Sequence, residues 1–147
     1  MKRIGVIDGQ GGGIGSAIIR KLKQHYGETV DITALGTNAI ATAQMLKARA
    51  NRGASGENAI VQTAGQVDVI IGPIGIVLAH AMMGEVTPRM AEAIAASGAR
   101  KLLIPLSQEN IEIVGTSPMP LPHLIDALIE TNLNAMIPVN PGGETNV

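Results

Sequence analysis

The chain contains no cysteine, no tryptophan and no phenylalanine, and only one tyrosine. Without cysteine there is no disulfide, no thiolate metal site and no cysteine nucleophile, a usage that fits a cytoplasmic protein. With 1% aromatic residues there is no platform on which bases could stack. No charge of one sign dominates: 11 basic residues face 12 acidic ones, for a net charge of −1, so a nucleic-acid partner is not expected. Long hydrophobic runs are missing as well. The longest uncharged stretch, residues 69–84, holds 16 residues with Pro73, His80 and several glycines, short of a membrane span. The apolar run after Met-Lys-Arg is too short for a signal peptide. What remains is a 147-residue chain, the length of one domain, with a core of Ile, Leu, Val, Ala and Met.

Strand and helix patterns alternate along it. Ile4–Ile7 reads as a buried strand and Ile14–Tyr26 as an amphipathic helix closed by Gly27. Val30–Leu35 is a second strand, and Thr37 or Asn38 can cap a helix reaching about Ala50. Residues 51–56 look like a polar loop, and Ser55 could cap a short helix to Thr63. A third strand, Val67–Ile71, runs into Gly72-Pro73-Ile74-Gly75. Thr87-Pro88 has the cap and proline order of a helix start, with Gly98 at its end. Lys101–Leu106 is a fourth strand. Only Ser107–Asn110 separates it from Ile111–Val114, too short for a crossover, so those two should pair antiparallel. A last helix covers about Pro122–Thr131. The predicted architecture is a three-layer, Rossmann-like α/β sandwich spanning residues 1–133. Its sheet is mostly parallel with an antiparallel edge strand, and a loose tail covers residues 134–147.

In such a fold, ligands bind beyond the carboxyl ends of the strands. The first of those ends is Asp8-Gly9-Gln10-Gly11-Gly12-Gly13-Ile14-Gly15, five glycines in eight residues. Glycine there lets backbone approach a phosphate, and the helix behind it offers free N–H groups. No Lys-Ser/Thr follows, which excludes a Walker A loop. The spacing Gly9-x-x-x-Gly13-Ile14-Gly15 resembles the glycine motif of short-chain dehydrogenases, Thr-Gly-x-x-x-Gly-Ile-Gly. Asp8 replaces the threonine, and the catalytic Tyr-x-x-x-Lys is missing, since Tyr26 is followed by Gly, Glu, Thr and Val. The resemblance therefore implies cofactor binding rather than dehydrogenase catalysis. On this reading Gly13, Ile14 and Gly15 face phosphate, Gly36, Thr37 and Asn38 face the adenosine ribose, and Gly72–Gly75 let the distal half of the ligand pass. The cofactor read from this is NAD or NADP, with a slight lean to NADP because no acidic residue ends the second strand.

Asp8 beside a pyrophosphate is repulsive unless something intervenes. Either its carboxylate bonds nearby backbone N–H groups in an Asx-type turn, or it meets a ribose hydroxyl, a metal ion or a substrate proton. Glu57, His80, Glu85, Glu109 and His123 are further acid–base candidates, each with a plainer role as cap, turn or solvated residue. The three histidines lack ligand spacing, so no metal is assigned.

Together IDGQGGGIG, ALGTN, GASGENAI, VDVIIGPIGIV, GEVTP and PLPHLIDA resemble a family of small bacterial proteins known only as a domain of unknown function, over roughly residues 3–130. The resemblance implies a Rossmann-like fold and carries no activity. Three functions stay open: a nucleotide-binding protein, an enzyme acting on a small anionic metabolite in the same cleft, and a non-catalytic regulatory or assembly subunit. The Ala/Met-rich middle suggests a homo-oligomer, read as a dimer.

Overall fold

A computed structural model describes residues 1–106 and 109–137. Five strands, β1 (Lys2–Asp8), β2 (Val30–Gly36), β3 (Arg52–Ser55), β4 (Val69–Pro73) and β5 (Arg100–Ile104), form one sheet in the order β3-β2-β1-β4-β5. Every pairing is parallel, and Asp8 lies level with Gly36, which lies level with Ser55. The helices are α1 (Gly13–Tyr26), α2 (Ala39–Lys47), α3 (Glu57–Thr63), α4 (Pro88–Ala96) and α5 (Leu121–Ala127), the last continued by a π-helical turn over Leu128–Leu133.

The central strands, β1 from Ile4 on and β4, are buried on both faces because helices cover both. Ile4, Val6, Ile32, Ala34, Val69, Ile71, Leu102 and Ile104 pack against α1, α2 and α5. Ile7, Leu35 and Ile70 point the other way, onto α3 and α4. The caps read from the sequence form: the Asn38 side chain accepts from Ala41 N at 2.8 Å, and Thr87 Oγ1 accepts from Met90 N at 3.2 Å. Gly27 closes α1 with φ +58°. Gly56, not Ser55, stands before α3, because Ser55 Oγ turns to Thr42 Oγ1 at 2.7 Å.

Two expectations about the sheet fail. Residues 52–55, read as loop, form edge strand β3. Its four residues are all exposed, so no apolar alternation marks it. Residues 111–114 form no antiparallel strand. They leave the sheet and stay exposed, and within the described residues β5 remains an edge. Ser107, at the start of the expected connection, lies outside the described residues. So does the expected loose tail beyond 137, although Ile137 itself is buried. Among the described residues no helix is long and apolar enough to cross a membrane.

The chain steps outward from β1 to β3, then returns to β4 on the other side of β1. The connection reverses between β1 and β4, and a crevice opens where the two connecting loops part.

Candidate functional site

The turn after β1 is built around its first residue. Asp8 is 4% exposed. Its Oδ1 accepts from Gly9 N at 2.8 Å and its Oδ2 from Gly15 N at 2.7 Å. The Ile14 amide also stabilises it. The carboxylate thus caps the amino end of α1, a helix with no side-chain cap of its own. Burial pushes the Asp8 carboxyl above its ordinary value; the Gly15, Gly9 and Ile14 amides pull it back, and the charge of Glu85 adds a weaker upward push. Of the two roles open to Asp8, the turn-forming one is what its bonds show.

The five glycines divide into two groups. A Cβ on Gly9 would strike Thr37 Oγ1 and lie 2.7 Å from Met82 Sδ. One on Gly12, at φ +73°, would meet Ala41 O at 2.8 Å, and one on Gly15 would meet Met45 Sδ at 2.5 Å. Packing therefore demands these three. Gly11 and Gly13 have nothing within 4 Å and no left-handed φ. Among the described residues their N–H groups find no acceptor. Packing gives no reason for glycine at either.

A second carboxylate closes the side of the turn. Glu85 Oε1 accepts from Thr37 Oγ1 at 2.6 Å, from Asn38 Nδ2 at 2.8 Å and from Gln10 N at 2.8 Å. Burial pushes Glu85 up, but the bonds from Thr37, Gln10 and Asn38 outweigh it and hold the carboxyl below its ordinary value. The segment delivering Glu85 is contorted: His80, Met82 and Met83 have φ of +72°, +58° and +58°. Left-handed backbone costs a non-glycine residue about 1 kcal/mol or more. The bonds that hold the segment include His80 N to Val86 O at 2.7 Å, and Gly84 N to His80 O, Glu85 N to Met82 O and Val86 N to Ala81 O, each at 3.1 Å.

Between these loops lies a cleft of about 290 Å³, lined by Asp8, Gln10, Ile14, Pro73, Gly75, Met82, Leu106 and Glu109. None of the eight is basic. Glu109 Oε2 accepts from Met82 N at 3.3 Å. Of the strand-end residues named from the sequence, Asp8, Gln10, Ile14, Pro73 and Gly75 meet here, and Thr37 and Asn38 sit behind Glu85. Gly36 and Gly72 serve packing instead, since a Cβ would strike Thr42 Oγ1 at the first and Ile7 O at the second. Ile74 opens a 3-10 turn, Ile74–Val77, and is half-buried. Of the acid–base candidates, Asp8 and Glu109 reach the cleft and Glu85 borders it. Glu57 accepts from Thr87 Oγ1 at 2.6 Å and pairs with Arg89 at 3.7 Å. His80 and His123 are exposed away from the cleft lining. Sequence reasoning missed the central place of Glu85, because its partners lie 75, 48 and 47 positions away.

The family described as a domain of unknown function (DUF3842) matches residues 3–137, and the chain belongs to it. This is the kind of family that its motifs resembled. Among curated protein sequences none matches. A crystal structure of a dodecameric FMN-dependent UbiX-like decarboxylase from Escherichia coli O157:H7 is similar in fold. It is 15% identical, with a TM-score of 0.50 over 92% of this chain and 94% of that one. The expectation of NAD or NADP is overturned. The similar structure is that of an FMN-dependent protein, and the groups assigned to a dinucleotide are spent within the chain. The Gly9, Ile14 and Gly15 amides serve Asp8, while Gln10 N, Thr37 and Asn38 serve Glu85. A pyrophosphate there would face two carboxylates. The fold is the Rossmann-type layout expected, without the antiparallel strand.

Proposed function

We propose that this chain binds a small ring-bearing ligand in the cleft between the β1 and β4 loops, and that flavin mononucleotide is the ligand to test first. The observation that carries this is the pair Gly11 and Gly13. Their amides have no acceptor among the described residues, and the space above them is open. They stand between Gln10 and Ile14, which both line the cleft. A phosphate at this outer rim takes those two amides and the positive end of α1, while Asp8 keeps the inner ones. Ile14, Pro73, Met82 and Leu106 offer apolar contact to a flat ring, and Asp8, Gln10 and Glu109 accept hydrogen bonds from its polar edge. A bound flavin would supply electron-transfer or electron-sink chemistry, and the protein would supply position and electrostatics.

Because no basic side chain lines the cleft among the described residues, the phosphate contact is modest. Two amide bonds of about 0.7 kcal/mol each give FMN roughly a tenfold advantage over riboflavin. Fluorescence titration of the purified protein with FMN and riboflavin tests this. FMN binding tighter than riboflavin, and weakened by Gly13→Ala, supports the reading. No binding of either at millimolar concentration overturns it.

A second reading rests on Asp8 alone. A buried carboxyl whose proton is held more tightly than usual, inside a cleft, has the character of a general acid. It requires that Asp8→Asn abolish turnover while leaving ligand affinity within about threefold, a change of roughly 0.6 kcal/mol. Equal loss of both would assign Asp8 to binding only.

A further inference from the structure

Strand β5 is an edge of the sheet, and a groove of about 380 Å³ runs along it, walled by residues 100–105 on one side and by Leu124, Ala127 and Leu128 on the other. A few residues later the chain throws out an arm. Residues 110–120 are exposed throughout, including Ile111 at 46% and Val114 at 98%. Within the described residues its backbone bonds are local, Ile111 N to Glu109 O at 2.8 Å and Thr116 N to Ile113 O at 3.4 Å. Within the described residues the protein therefore carries a largely aliphatic segment, Ile111-Glu112-Ile113-Val114, that covers nothing, and an unpaired strand edge beside a groove of mixed polar and apolar lining. Leaving both to water is costly and invites uncontrolled pairing.

We propose that each completes the other between two copies: the arm of one protomer lies along the β5 groove of its partner, and reciprocally. Such an exchange is self-complementary, as a two-fold dimer requires, and strand addition supplies its main-chain hydrogen bonds. Charge identifies the occupant as a second copy. The groove opens with Arg100 and Lys101, and Arg100 has no ion pair among the described residues. The arm places the exposed carboxylate of Glu112 between its apolar side chains. The arm's root also carries Leu106 and Glu109, one wall of the cleft. Docking of the arm would thus steady that wall.

The test is sedimentation velocity with light scattering on the full chain over a concentration series. The wild type should be a dimer or a multiple of it. Ile113→Asp and Arg100→Glu should each weaken association about tenfold, and Glu112→Arg should restore the Arg100→Glu variant. These residues are exposed, so circular-dichroism melts should report folded protein in each case. A monomer at about 100 μM, or an oligomer whose dissociation is unmoved by these substitutions, overturns the proposal.

Discussion

The Glu85→Gln variant gives the sharpest test of how the site is held together. One carboxylate oxygen gathers three donors from two loops, at 2.6, 2.8 and 2.8 Å. Glutamine keeps the size and one acceptor oxygen but removes the charge. A hydrogen bond to a charged group contributes about 1 kcal/mol more than a neutral one, so three such bonds set an upper limit of roughly 3 kcal/mol. Glu85 is only half-buried, and the three bonds share one oxygen, which reduces the expected loss to about 1.5 kcal/mol. Relief of the repulsion on Asp8 works the other way, but it is the weakest influence on that residue. For a chain of this length the loss corresponds to a fall in Tm of roughly 3–6 °C at pH 7. The pH dependence has a definite sign. Glu85 has its carboxyl held below the ordinary value in the folded state. Its contribution is therefore complete above the ordinary glutamate value and is lost as pH falls through the folded one. The gap between wild type and variant should close below about pH 4. Calorimetry at pH 7 and pH 3 reads both. A Tm unchanged within about 1 °C at neutral pH, or a deficit equally large in acid, would refute the role assigned to this charge.

Asp8 should behave with the opposite sign. Its carboxyl is held above the ordinary value, so its contribution is present in acid and falls as pH rises from about 4 through the folded value. Urea unfolding of Asp8→Asn between pH 3.5 and 7 should show a stability difference from wild type that moves with pH in that direction, and a constant difference would count against a buried, costly carboxylate. Gly15→Ala should destabilise by about 1–3 kcal/mol, because Met45 Sδ stands 2.5 Å from the new carbon. Gly11→Ala and Gly13→Ala should leave Tm unchanged or slightly raised, and Gly13→Ala should still weaken flavin binding; a variant that melts early would show that packing does require these glycines. Ser16 Oγ is buried without a partner among the described residues, so Ser16→Ala should add about 1 kcal/mol, and a loss of stability in thermal unfolding would reveal an unseen hydrogen bond.

Elements whose signals are local could be read from the sequence. Ile4–Ile7 had to be a strand buried on both faces, and Asn38 and Thr87-Pro88 capped the helices they precede. Elements that depend on distant partners could not. Strand β3 has four exposed residues and no pattern. It forms because Asn51 exchanges two bonds with Ile32, both at 2.8 Å, and Arg52 pairs with Asp31 at 2.8 Å. Conversely, Ile111–Val114 alternates like a strand but finds no sheet partner among the described residues, and alternation signals only a demand for burial, not where that demand is met. The site divides along the same line. Asp8 was recognisable as a turn former because its amide donors are one and seven residues away. Glu85 was not, because its nearest partner in sequence lies 47 positions off. A glycine motif counts donors; it says nothing about which acceptor arrives first. Here the chain supplies two acceptors of its own, and a dinucleotide would have to displace both. Among the described residues the turn's amides left without an acceptor are those of Gly11 and Gly13, and on the reading proposed above a phosphate would sit there, outside the place the motif predicts.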